Sequence, residues 1–269
     1  MTSFYHIIKE CSACKINYLV SGLRSFNSLG AEFYTDGSIS NCSLRAERLL
    51  VCPKCAAHEW FDDVKTIKTL TEIDYMNLLN EYVKDQFAFL NAMPEFFGSS
   101  PSGILLLLKE EPWRCKDEEW YLRLSLWRAV GRLHLECKDN SDSYRDFKER
   151  QVLEYASSQP LKAAEALHAL GRNDECRSFL ENQPLKGQLE ENMLRLLELN
   201  EYNELMSAEL LRQMGRFDEA VHVLSLAFPK KDNACAKKIA ELAAAGCKWL
   251  GLFLSLPCNH YFSVFKNLI

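Results

Sequence analysis

Cys11-Ser12-Ala13-Cys14 and Leu49-Leu50-Val51-Cys52-Pro53-Lys54-Cys55 decide the reading of this chain. The two Cys-x2-Cys turns are separated by 37 residues. Each turn offers two thiolates to one ion, and two turns complete a tetrahedron, which is how a module with little core captures zinc. The second turn has the Cys-Pro-x-Cys form of zinc ribbons, and the apolar run Leu49-Leu50-Val51 reads as the strand that feeds it. The expected ligands are therefore Cys11, Cys14, Cys52 and Cys55, around one zinc ion. A closed set of four thiolates leaves no open position for water, so the zinc would be structural rather than catalytic. Cys42 and His58 are the competing ligands. The plain alternative is four reduced cysteines in an ordinary fold.

Composition narrows the function classes. A chain of 269 residues, 48% apolar and 26% charged, is that of a globular protein of one or two domains. Its net charge of −5 gives no global basic field to attract nucleic acid. Around the knuckles, Lys9, Lys15, Arg24, Arg45, Arg48, Lys54, Lys65 and Lys68 are nearly balanced by acids, which argues against duplex binding. The cysteines number 11, an odd total, and six of them are scattered singly through helical sequence. The start, Met1-Thr2-Ser3-Phe4-Tyr5-His6, lacks the basic and apolar regions of a secretory signal. Free thiols and a cytoplasmic location are the expectation.

Organisation follows from local pattern. Residues 1–65 carry Gly22, Gly30, Gly37 and turn residues such as Asn27, Asp36 and Asn41, and read as the metal module. Residues 66–269 read as an all-helical body. Thr71-Glu72-Ile73-Asp74 resembles a capping box, and Ile73, Met76, Leu79, Tyr82, Val83, Phe87 and Leu90 follow at helical spacing. Residues 98–103 read as a loop, with a helix from Ile104 to Lys109. A strong helix is expected over Asp117–Cys137, with Trp120, Leu124, Trp127, Val130 and Leu135 on its packed face and Arg123, Arg128 and Arg132 on its solvated side. A further helix is expected to end near Ser157.

From about residue 160 the chain echoes itself. Leu170-Gly171-Arg172-Asn173-Asp174-Glu175-Cys176, Leu199-Asn200-Glu201-Tyr202-Asn203-Glu204-Leu205 and Met214-Gly215-Arg216-Phe217-Asp218-Glu219-Ala220 each end one helix, turn on Gly or Asn, and open the next with acids. Gly and Asn tolerate the left-handed cap, and early acids complement the helix dipole. The third copy looks like a tetratricopeptide repeat, with Ala208, Gly215, Phe217, Ala220 and Ala227 at the small and aromatic positions. The apolar stretch Cys247–Ile269 is broken by Pro257, Asn259 and His260 and is too short to span a membrane. It reads as a helix or turn that docks on the protein or on a partner, and a homodimer through it is a further expectation.

The whole chain resembles a bacterial family catalogued as a domain of unknown function. That family carries a Cys-x2-Cys, a Val-Cys-Pro-x-Cys about forty residues later, a helical body and a tetratricopeptide-like tail. Here these are Cys11 and Cys14, Asp36, Val51-Cys52-Pro53-Lys54-Cys55, the helix Trp120–Arg128 and the tail segment Glu209–Ala220. The chain departs from the family at Ala56-Ala57, where a Gly and an aromatic are usual. It departs again beside Asp36, where a cysteine is missing and Cys42 is the candidate substitute. The resemblance implies architecture and no activity.

Catalysis has little support in the sequence. There is no Gly-rich phosphate loop, nucleophile elbow or His-Glu-x-x-His. Glu118-Glu119 and Glu190-Glu191 are adjacent on helices and diverge, and the six histidines are dispersed. Trp60, Phe61, Trp113, Trp120 and Trp127 read as core rather than as a stacking platform for bases. The favoured function is a non-catalytic adaptor or scaffold that binds a protein or peptide on its helical array. The alternatives are a nucleic-acid-associated regulator reading with the ribbon, and an enzyme of unrecognised type.

Overall fold

The computed structural model describes residues 3–25, 33–36, 48–71, 73–77, 100–134, 145–201, 203–229, 233–248 and 252–254. It is mainly helical, with a small strand region near the N-terminus. The chain forms two compact units. One comprises Met1–Ala31 and Asn41–Ser99; the other comprises Glu32–Ser40 and Ser100–Ile269.

In the N-terminal unit, β1 (Ser3–Glu10) pairs antiparallel with β2 (Asn17–Ser25) and with β6 (Lys65–Leu70), giving the order β2-β1-β6. Strand side chains alternate between faces. Tyr18 and Val20 therefore join a buried cluster with Cys11, Leu50, Cys52 and Val64, while Leu19 turns the other way onto Ile8 and Leu70. The edge strand β6 keeps Lys65 to Thr69 exposed, and edge lysines discourage pairing with another chain. A separate hairpin, β4 (Leu49–Val51) with β5 (His58–Trp60), carries the second knuckle at its turn. The expected capping box is present. Thr71 N–H donates to Asp74 Oδ2 at 3.1 Å and Asp74 N–H to Thr71 Oγ1 at 3.1 Å. Of the apolar positions expected to follow, Ile73 and Met76 are exposed, and those from Leu79 to Leu90 lie outside the described residues.

The helical unit contains α1 (Pro101–Leu107), α2 (Lys116–Leu133), α3 (Arg145–Tyr155), α4 (Pro160–Ala169), α5 (Asn173–Glu181), α6 (Leu185–Leu199), α7 (Glu204–Gln213), α8 (Phe217–Ala227) and α9 (Ala234–Ala244). From α3 onward each helix packs on the next, α7 also meets α9, and α2 lies against α4, α5 and α6. A core of Leu126, Val130, Leu133, Leu161, Leu167, Leu180 and Leu185 joins α2 to α4, α5 and α6.

Two of the three sequence echoes are the same turn atom for atom. Gly171 (φ 70°) and Gly215 (φ 81°) follow α4 and α7. Gly171 N–H donates to His168 O and Arg172 N–H to Leu167 O; Gly215 N–H donates to Arg212 O and Arg216 N–H to Leu211 O. These are Schellman caps. In both, the arginine then forks onto the glutamate three residues ahead: Arg172 onto Glu175 and Arg216 onto Glu219. The middle echo differs. Asn200 has φ −86°, and instead of a left-handed cap its amide donates to Asn203 O and Ser207 Oγ.

Several expectations need correction. α1 begins at Pro101, inside the expected loop, because Ser100 Oγ accepts Gly103 N–H and Pro101 fits the first helical position. Arg128 is buried, and its guanidinium donates to Asp36 O at 3.2 Å. Within the C-terminal segment, expected to dock as a helix or turn, Leu252–Leu254 form a strand, β7, that pairs antiparallel with β3 (Phe33–Tyr34), and residues 255–269 lie outside the described residues. Leu135 and Cys137 lie outside the described residues.

Residues 33–36 sit between the knuckles in sequence, yet they are held within the helical unit. Thr35 Oγ1 donates to Glu209 Oε1 at 2.6 Å. Glu209 and Arg212 have fully buried side chains and pair with each other through two bonds, at 2.7 and 2.6 Å. Gln213 donates to Glu209 Oε1 at 2.8 Å and accepts Trp127 Nε1–H at 2.9 Å. Arg212 also donates to Cys247 O. Buried charges persist when each is paired and hydrogen-bonded in this way.

Candidate metal centre

The knuckles are built alike from the backbone upward. In the first, Cys11 N–H donates to Ile16 O at 2.9 Å and Lys15 N–H to Cys11 O at 3.0 Å. In the second, Cys52 N–H donates to Ala57 O at 2.8 Å and Ala56 N–H to Cys52 O at 2.9 Å. The residue after each second cysteine takes a left-handed conformation, Lys15 at φ 59° and Ala56 at φ 58°. Glycine is the residue that adopts such a φ without cost, so Lys15 and Ala56 each hold a strained backbone position.

These turns bring the Sγ atoms of Cys11, Cys14, Cys52 and Cys55 within 4.8 Å of one another. Two of the contacts run across the knuckles, Cys11 to Cys55 and Cys14 to Cys52, each at 3.6 Å. Cys11 and Cys52 are buried, Cys14 is half-buried and Cys55 is exposed. Burial pushes the Cys11 thiol up to about 12, whereas the Ile16 backbone N–H draws the Cys14 thiol down to about 7. Four sulfurs this close cannot all ionise without a cation among them. A soft dication at their centre fits the donor set, and thiolate ligands in a tetrahedral array are those of zinc. Every position of such a shell would be filled by protein.

The competitors fall differently. His58 is exposed on β5 opposite Val51 and is not among the residues that converge. Cys42 lies outside the described residues. Asp36 is buried within the helical unit. Glu59, which sequence reasoning passed over, reaches from β5 to the first knuckle, where its Oε1 accepts Ser12 N–H at 2.9 Å. Its position one strand residue beyond His58 carried no motif that would have found it.

In the helical unit the first of the two carboxylate pairs is committed to arginines. Glu118 holds Arg114, and Glu119 binds Arg123 at 2.9 Å and Arg195 at 2.8 Å. Arg195 first, then Arg123, hold the Glu119 carboxyl below its ordinary range. Trp60 and Trp127 are buried, and Trp113 lies under the Arg123 guanidinium at 5.5 Å. A cavity of about 70 Å³ opens beside α2 and α6, with Trp127, Lys186, Glu190, Asn192 and Lys248 on its walls. Among the described residues no helix is long and apolar enough to cross a membrane. Compared with known proteins, the chain matches no family model, no curated protein and no solved structure.

Proposed function

We propose that the chain is a non-catalytic adaptor of the cytoplasm: one structural zinc ion, held by Cys11, Cys14, Cys52 and Cys55, fixes the N-terminal unit, and the helical unit binds a protein or peptide. The observation that carries the metal half is the convergence of four sulfurs from two knuckles of identical backbone geometry. The binding half is supported by helices that pack in sequence order and by a cleft with charged and apolar walls. Tetratricopeptide-like stacking of α4 to α9 is part of this reading, because the Schellman turns after α4 and α7 share the pattern Gly-Arg-x-Asp-Glu and the same hydrogen bonds. Such arrays expose a long surface for their size and use it for recognition.

The test of the binding half is capture of tagged protein, with identification of what is retained by mass spectrometry. It is repeated with Lys186→Glu, Glu190→Lys and Lys248→Glu, which reverse charge at the cleft and leave the core untouched. A stoichiometric partner lost on charge reversal, at unchanged zinc content and melting temperature, supports the reading. A partner indifferent to all three changes, or none at all, would sink it.

A further inference from the structure

The cavity beside α2 and α6 lies wholly within the helical unit and holds about 70 Å³. Trp127 and Val130 of α2 and Leu180 of α5 give it buried apolar walls. Gly131 lines it too, from the buried interior of α2, where a glycine weakens the helix and a larger side chain would take up the space. An apolar hollow of about 150 Å³ takes a benzene ring, so one of half that size suits a branched aliphatic chain and not a ring.

The charges on the walls are balanced but not all paired with one another. Lys186 pairs with Glu181 at 3.2 Å. Glu190, four residues beyond Lys186 on α6, is left over; lysine before glutamate at this spacing is the weaker order for a pair. Lys248 reaches the wall across Gly215, where a Cβ would stand 2.6 Å from its Cε. Among the described residues neither the Glu190 carboxylate nor the Lys248 ammonium has an ion-pair or hydrogen-bond partner. Asn192 on the same wall is 3% exposed and donates to Arg123 O at 3.1 Å, and its Oδ1 has no donor. A buried acceptor left in this way is costly.

We propose that this cavity binds a free α-amino acid with a branched aliphatic side chain. The ammonium faces Glu190 and Asn192, the carboxylate faces Lys248, and the side chain packs against Trp127, Val130 and Leu180. Charge-assisted hydrogen bonds at the two ends select a zwitterion, and the apolar walls select the chain. The inference rests on the reading of this cleft as a recognition site, given above, but its test needs no protein partner.

The probe is L-leucine, and the indole N–H of Trp127, followed by NMR in the full-length protein, reports occupancy. Leucine shifts it saturably. Isoamylamine, which lacks the carboxylate, and isocaproate, which lacks the ammonium, each bind about tenfold more weakly. In Glu190→Gln, leucine and isocaproate bind alike; in Lys248→Met, leucine and isoamylamine bind alike, because each variant removes the group that the missing charge would have met. Gly131→Leu fills the hollow and abolishes the shift; if that variant fails to fold, the two charge variants decide, since both side chains are only half-buried. No saturable shift with leucine at millimolar concentration, or equal binding of all three compounds to the wild type, overturns the amino-acid site. Leucine binding by a protein that captures no partner upholds the site and overturns the adaptor reading alone; a captured partner without leucine binding does the reverse.

Discussion

The sulfur tetrad and the Glu209 network both keep polar groups out of water, and they do so by opposite means. The tetrad gathers four like groups, which require a cation from outside to be stable together. The network gathers unlike groups and is complete in itself: Arg212, Thr35 and Gln213 all donate to Glu209, and Arg212 donates onward to Cys247 O. The tetrad is assembled from two short turns, each closed by its own backbone. The network draws on residues from Thr35 to Cys247 and exists only when the whole helical unit is folded. One region should therefore fail when metal is withdrawn, and the other when a single partner is removed.

The largest effect is expected at the tetrad. Cys52→Ser removes a ligand, and the protein should lose zinc binding together with protection of residues 3–25 and 48–71 in hydrogen exchange. The helical unit should keep its protection. Unchanged exchange in both units would erase the distinction.

The next effect is at the network. Glu209→Ala leaves the Arg212 charge buried without its partner and should cost about 3–5 kcal/mol in urea unfolding of the helical unit. The pair Glu209→Leu with Arg212→Met should recover much of that loss, while zinc content stays at the wild-type value. A small loss in Glu209→Ala would mean that water reaches Arg212.

Smaller effects separate the turns. Gly246→Ala places a side chain at φ 65° with open space around it, and should cost about 1–2 kcal/mol from backbone strain. Gly215→Ala should cost slightly more, because its Cβ would stand 2.6 Å from Lys248 Cε and the lysine must move. Equal melting temperatures for the two variants would show that Lys248 moves freely.

His134 gives the helical unit a pH dependence. Burial, then the charges of Arg177 and His168, draw its imidazole down to about 4. Below the ordinary histidine range near 6.5 the unfolded chain takes up a proton that the folded chain refuses. Stability is therefore full above that pH and falls as pH drops from about 6.5 toward 4, by about 1 kcal/mol at pH 5 for this partly exposed group. His134→Gln should flatten the decline measured by denaturant titration at pH 7 and pH 5. The smallest effect is a gain. Ala56→Gly relieves the left-handed strain of the second knuckle and should raise stability of the loaded N-terminal unit by about 0.5–1 kcal/mol.

The same contrast explains what could be read in advance. Sulfur spacing, the Leu49-Leu50-Val51 strand and the Thr71–Asp74 capping box are local, so their residues announce them. The glycine turns after α4 and α7 were legible for the same reason, since Gly-Arg-x-x-Glu encodes both the cap and the fork. Arg128 was misplaced because its partner, Asp36 O, lies 92 residues away and no periodicity encodes it. The strand at Leu252–Leu254 was missed likewise: three apolar residues become a strand only when Phe33 and Tyr34 offer an edge. Glu59 was invisible because one carboxylate near a knuckle has no spacing to distinguish it from a solvated charge.

The most direct measurement is the native mass of the freshly purified protein, with thiol titration of the same sample. The account predicts one zinc ion per chain, four thiols that react only after chelation, and no zinc in Cys52→Ser. A metal-free mass with all four thiols reactive, in a protein whose N-terminal sheet is nonetheless intact, would contradict it.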